Sequence, residues 1–186
     1  MDNLTNFPGL VEKALRIATL AHQGQKRKGE DMPYIIHPYM VALKLAQHGF
    51  PEAVLAAALC HDVLEDTDYP EARLREALGE DAYDMVKTVT HDSSLPWEEK
   101  KKKYIETVRL GSAGAKAICL ADKIHNLESL FIAYSQSGPA VWKNFNRGQE
   151  QKLWFENSVL QMLRETWQHP LIDEYARLIE IEKTLA

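Results

Sequence analysis

The sequence predicts an all-α protein, a single domain of roughly eight to ten helices. Three observations carry that expectation. Apolar residues recur at three- and four-residue intervals through most of the chain. No alternating apolar–polar run is long enough to make a useful strand, and most prolines and glycines fall at the limits of the periodic segments. A length of 186 residues is enough for one domain with a sizeable core and short for two.

Leu10, Val11, Ala14, Leu15, Ile17, Ala18 and Ala21 give a first helix over about 8–23, with Pro8 in the tolerant first turn. Residues 24–33 form a polar loop, and Tyr34-Ile35-Ile36 is too short for a strand. His37-Pro38 opens a second helix that Gly49 ends. Pro51 starts a third, strongly apolar helix (Val54, Leu55, Ala58, Leu59, Leu64) that reads as continuous to about Thr67. Short helices follow over about 70–79 and 81–90, then a charged helix over 97–110 that begins after Pro96. Residues 115–134 are strongly apolar and helical. The stretch 139–167 is helical with a break at Gly148, and 170–185 closes the chain. Functional motifs occupy about 10–130, and the helices of 139–185 complete the core of one domain spanning 1–186.

Composition narrows the function classes. With 22 basic and 27 acidic residues the formal charge is −5, so no general surface for nucleic acid is indicated. Cys60 and Cys119 sit in apolar helical patterns without zinc-type spacing, which reads as buried reduced thiols in a cytoplasmic protein. No apolar run approaches the ~18 residues of a membrane span, and the N-terminus does not resemble a secretion signal.

The third helix ends in His61, Asp62, Glu65 and Asp66, and such groups are costly to bury unless paired or ligated. His61 and Asp62 are neighbours, about 100° apart on a helix, and can reach one ion. His37 stands at a helix start, and Asp122 is an acid within the apolar run 119–124. Singly, each has a plainer account as a hydrogen-bonded histidine or a surface acid. Together, two imidazoles and two carboxylates suit a borderline or hard divalent ion: Mn, Fe, Zn or Mg. On a continuous helix Glu65 shares the face of His61 and Asp62, where a carboxylate not used as a ligand can orient or deprotonate a water. Acids at a helix C-terminus oppose its dipole, a cost that a nearby cation would explain.

Asn126 and Ser129 follow Asp122 at i+4 and i+7, facing a substrate or, for Asn126, supporting the ligand from behind. His125 shares that ambiguity and is not expected to be a ligand. Lys26, Arg27 and Lys28 make either a phosphate site or solvated loop charge. Four consecutive lysines, 100–103, point in all directions from a helix, so at most one or two can face a substrate. Arg147 is a further candidate phosphate contact. Trp97, Trp142, Trp154 and Trp167 read as core or subunit-interface residues rather than base-stacking platforms.

The combination His37-Pro38, His61-Asp62-Val63-Leu64-Glu65-Asp66-Thr67 and Ala121-Asp122-Lys123-Ile124-His125-Asn126-Leu127 resembles the HD-superfamily hydrolase domain of RelA/SpoT-type alarmone enzymes. Ala21-His22-Gln23-Gly24-Gln25 and Arg27-Lys28, leading to Pro33-Tyr34-Ile35-Ile36-His37-Pro38, are similar to the same family's N-terminal segment. The length leaves no room for a synthetase domain, so the resemblance is to stand-alone small alarmone hydrolases such as the metazoan SpoT homologues. It implies one Mn²⁺ held by His37, His61, Asp62 and Asp122, with Glu65 and Asp66 acting on the nucleophilic water. It implies Arg27 and Lys28 at the nucleotide or its phosphates, Asn126 at the ribose, and hydrolysis of the 3′-diphosphate of (p)ppGpp. Two positions depart from the family: the 27–34 segment lacks a serine and is one residue longer, and Trp97 replaces a lysine after Leu95-Pro96. Another phosphorylated nucleotide such as NADPH, or nucleotide binding without catalysis, are the readings these departures leave open.

Overall fold

The computed structural model describes residues 9–27, 31–145 and 147–185; Lys28, a candidate phosphate contact, lies outside them. Among the described residues the chain forms ten α-helices and one 3-10 segment, and a lone bridge between Lys26 and Pro33 is the only β pairing. The expectation of an all-α fold is met.

Two helices organise the packing. Helix α3 (Glu52–Leu59) follows α1 (Leu10–Ala21) and α2 (Ile36–Gln47), and five of its residues, Val54, Ala56, Ala57, Ala58 and Leu59, are buried. Its alanines let α1 and α2 approach from different sides, together with α6 (Glu80–Val89), which comes after α4 (Val63–Asp66) and α5 (Glu71–Leu78). After α7 (Trp97–Leu110), the second organiser is α8 (Ala113–Ser137), whose Ile118, Leu120, Ile124 and Leu127 are fully buried. Ser112 caps it, its hydroxyl accepting from the Ala115 N–H at 3.2 Å. A Cβ on Gly114 would overlap Met85 Sδ and stand 2.9 Å from Val54 Cγ2, so the start of α8 presses directly on α6 and α3.

The third helix is not continuous. The chain leaves it at Cys60 (φ −107°, ψ 8°), and the four-residue α4 resumes with Asp62 at its N-cap. The His61 side chain supplies the reason. Its Nδ1 lies 2.7 Å from the Ala58 carbonyl, the acceptor that an unbroken helix would assign to the N–H of residue 62. Glu65 and Asp66 therefore lie in the first turn of a new helix, where its dipole favours acids.

The stretch expected at 139–167 divides into a 3-10 segment (Gly138–Asn144) and α9 (Gly148–Thr166), with the break at Gly148, whose φ of 72° suits glycine. Helix α10 (Leu171–Lys183) packs on α8 and α9, placing Tyr175 and Ile179 in the same core. A charged cluster lies between α9 and α10: Lys152 Nζ lies 2.9 Å from Glu156 Oε1 and 3.0 Å from Glu182 Oε1, and the Tyr175 hydroxyl donates to Glu156. Cys60 and Cys119 are free and buried, and burial pushes their thiols up to about 12 and about 11. No described helix is long and apolar enough to cross a membrane.

Candidate metal centre

The first turn of α2, the break between α3 and α4, and the middle of α8 meet at one point. His37, His61 and Asp122 each bring a ligand atom within 4.8 Å of the others, and all three are buried. His37 Nε2 stands 3.1 Å from Asp122 Oδ1 and 3.5 Å from Asp62 Oδ2. His61 Nε2 stands 3.2 Å from Asp62 Oδ2 and 3.8 Å from Asp122 Oδ1. Ligands about 2.1 Å from a shared ion stand roughly 3.0–3.4 Å apart, and the spacings of 3.1, 3.2, 3.5 and 3.8 Å found here lie near that range.

Hydrogen bonding independently supports a cation here. His61 Nδ1 donates to the Ala58 carbonyl, which leaves the lone pair on Nε2, and that buried atom has no hydrogen-bond partner among the described residues. Burial opposes protonation of His61, but Asp62 and Asp122 outweigh it and raise its pKa well above the usual value. The two carboxylates thus call for positive charge at this point, and a divalent ion meets the demand of all four groups. His37 Nδ1 lies 2.7 Å from His125 Nδ1, so His125 holds the ring of a candidate ligand rather than facing the centre itself. Lys123 Nζ, 2.7 Å from Asp122 Oδ2, and the Asn126 amide on Oδ1 fix the Asp122 carboxylate from outside.

Tyr34 joins the centre to the acid pair. Its hydroxyl lies 2.6 Å from Asp62 Oδ2 and 3.0 Å from Asp66 Oδ2, while burial and those carboxylates raise its pKa. Glu65 is held differently. Its Oε2 accepts from the His91 N–H at 3.0 Å and faces His91 Nδ1 at 2.9 Å. Burial would raise the Glu65 pKa, but the His91 bonds prevail and lower it; the Asp66 pKa is raised, by burial and then by Asp62. Tyr34 and His91 were both missed as site residues by sequence reasoning.

A cavity of about 600 Å³ opens beside Asn126. Its cations are Arg27, Lys101, Lys123, Arg147 and Lys152, and Trp97, Phe145 and Phe155 provide aromatic wall. Arg27 donates toward Asn126 Oδ1 at 3.2 Å and Ser129 Oγ at 3.3 Å, joining the N-terminal loop to the face of α8 that carries Asp122. Lys26 instead pairs with exposed Asp31 away from the cavity. Lys101 is the cavity lysine among 100–103. Trp142, Trp154 and Trp167 pack against the core as expected, whereas Trp97 lines the cavity.

The HD domain family matches residues 14–147. Guanosine-3′,5′-bis(diphosphate) 3′-pyrophosphohydrolase MESH1 of Xenopus tropicalis is 37% identical over 166 residues, 88% of this chain and 89% of the relative. Its Drosophila melanogaster counterpart is 36% identical over 157 residues, 83% of this chain and 84% of the relative. A solved structure described as a metazoan ortholog of SpoT that hydrolyzes ppGpp and plays a role in starvation responses superposes with a TM-score of 0.80 at 31% identity, over 96% of this chain and 97% of that one. Together with the family match over most of its length, these likenesses establish that the chain belongs to the HD domain family.

Proposed function

We propose that the chain is a manganese-dependent guanosine-3′,5′-bis(diphosphate) 3′-pyrophosphohydrolase that releases pyrophosphate from (p)ppGpp and leaves GDP or GTP. The observation that carries this reading is adjacency: the His37–His61–Asp62–Asp122 cluster stands beside a cavity that combines cations with aromatic wall. That pairing matches a polyphosphorylated nucleoside, whose charge needs Arg and Lys and whose base needs an apolar face. The activity for which the MESH1 relatives are named supports it.

His37, His61, Asp62 and Asp122 would hold the ion. When bound, a divalent ion acidifies water to near neutral pH and offsets phosphate charge. Glu65, kept ionised by His91, is suited to accept the proton of the attacking water. Asp66, linked through Tyr34 to Asp62, is suited to orient that water. Arg27 and Lys28 would bind the phosphates, and Asn126, on the cavity wall, the ribose. The full chain, 1–186, is read as one HD domain acting on a small-molecule nucleotide in the cytoplasm. Its two free buried cysteines accord with a reducing compartment.

Purified protein with Mn²⁺ should release pyrophosphate from ppGpp, and His61→Ala and Asp62→Ala should abolish release. Turnover by either variant at the wild-type rate would refute the ligand assignment. Trp97 in the cavity wall favours testing NADPH beside ppGpp, with the ratio of kcat/KM values deciding between them.

A further inference from the structure

Glu65 belongs to a helix of only four residues, so its own element does little to fix the carboxylate. One residue does that from a distance. His91, just beyond the end of α6, directs both its backbone N–H and its Nδ1 at Glu65 Oε2 (3.0 and 2.9 Å), and Oε1 has no hydrogen-bond partner among the described residues. The imidazole is itself clamped. It stacks on Tyr104 with centroids 4.1 Å apart and planes 11° from parallel, and its Nε2 stands 3.0 Å from Lys101 Nζ.

That last contact determines the tautomer. Burial and then Lys123 lower the Lys101 pKa to about 8, so at neutral pH the side chain is an ammonium with three donors and no acceptor; Nε2 then presents its lone pair, and the ring proton sits on Nδ1, which donates to the acceptor-only Glu65 carboxylate. Protonating the ring would set an Nε2–H against the ammonium, and burial together with Lys101 keeps the His91 pKa low despite Glu65. Lys101 in turn lies on the cavity wall, its Nζ 4.4 Å from the centroid of Phe155.

We propose that His91 is the positioning residue for Glu65 and that Lys101 sets its tautomer, so that an ordered chain Lys101–His91–Glu65 runs from the nucleotide cavity to the carboxylate that works on water. The proposal rests on the role given to Glu65 under the proposed function. Its consequence is a separation of functions: disturbing the chain moves kcat, because the carboxylate loses its aim, and leaves KM nearly unchanged.

Two substitutions divide the two hydrogen bonds of the ring. His91→Asn places an amide N–H where Nδ1–H stood and keeps the bond to Glu65. His91→Gln keeps a group near Nε2 for Lys101 and leaves Glu65 without its side-chain donor. With ppGpp and Mn²⁺, His91→Gln and His91→Ala should lose up to about 100-fold in kcat with KM within about twofold, and His91→Asn should recover at least about tenfold of that loss. Imidazole ¹⁵N shifts of the metal-free protein should report a neutral Nδ1–H tautomer for His91, with Nε2–H growing in Lys101→Met. Equal rates for the Asn and Gln variants, a loss confined to KM, or an Nε2–H ring in the wild type would each overturn the proposal. Glu65→Gln separates the two levels. If it turns over at the wild-type rate, the reading of Glu65 fails and the positioning role falls with it. If it is inactive while His91→Gln is not, the positioning role alone fails.

Discussion

The hydroxyl of Tyr34 stands between two carboxylates, 2.6 Å from Asp62 Oδ2 and 3.0 Å from Asp66 Oδ2. It has one proton, so at any moment it donates to one of them, and the shorter distance favours Asp62. A bond of this kind holds the candidate ligand oxygen of Asp62 in place and ties Asp66 to the candidate metal centre. Tyr34→Phe removes it with little change of volume. Metal affinity should fall by about 10–100-fold, the usual cost of losing a group that orients a ligand. Calorimetric titration with Mn²⁺ measures it, and an unchanged affinity would remove Tyr34 from the centre.

Because the four candidate ligands come from α2, the α3–α4 break and α8, an ion there crosslinks separate parts of the fold. Manganese at 100 times its Kd should add about 2.7 kcal/mol to the unfolding free energy. Thermal denaturation should show a rise in Tm for the wild type that EDTA reverses, and none for Asp122→Ala.

Arg27 should act in binding more than in the chemical step, since it meets Asn126 and Ser129 on the cavity wall rather than the acid pair. Losing a charged hydrogen-bonding group costs about 1.5–3 kcal/mol. Arg27→Ala should therefore raise KM by about 10–100-fold with kcat little changed. Arg27→Lys should restore only part of the loss, because an ammonium cannot reproduce the guanidinium fork.

The ion cluster between α9 and α10 predicts both stability and its pH dependence. Lys152→Met leaves Glu156 and Glu182 buried without their cation and should cost about 3–5 kcal/mol, read by urea denaturation. Burial raises the Glu182 pKa, with Lys152 pulling the other way. The folded state therefore holds this proton more tightly than the unfolded chain, whose glutamates titrate at about 4.3. The stabilisation is fully present below that pH and is lost as pH rises through the higher folded value. The stability of the wild type relative to Glu182→Gln should accordingly fall as pH is raised from about 4 to 7. A difference independent of pH would contradict the assignment.

Helix periodicity was enough to read the order of elements, and the break at Gly148 followed from its missing side chain. The four candidate ligands stood out too, because His61, Asp62 and Asp122 are ionisable groups set in apolar stretches of the sequence. The features that escaped depend on contacts between distant residues. The break at Cys60 comes from the His61 ring competing for a backbone carbonyl, which periodicity cannot express. His91 lies 26 residues from Glu65 with no motif to join them. Tyr34 did carry a signal, its place in Pro33-Tyr34-Ile35-Ile36-His37-Pro38, but its bond to Asp62 needed the fold. Which of the lysines 100–103 meets the cavity depends on the rotation of α7 about its axis, and that is set by packing on α9 and α6.

The abrupt end of α3 turns that helix into a ruler. Its buried residues, Val54 and Ala56 to Leu59, fix it against α1, α2 and α6, and its C-terminal end delivers His61 and Asp62. Deleting a single residue between Val54 and Leu59 would swing His61 and Asp62 about the helix axis by about 100° and draw them back by about 1.5 Å. No side-chain rotamer could return both groups to His37 and Asp122. Length variation in related chains should therefore collect in the loop between α1 and α2, while α3 keeps its count.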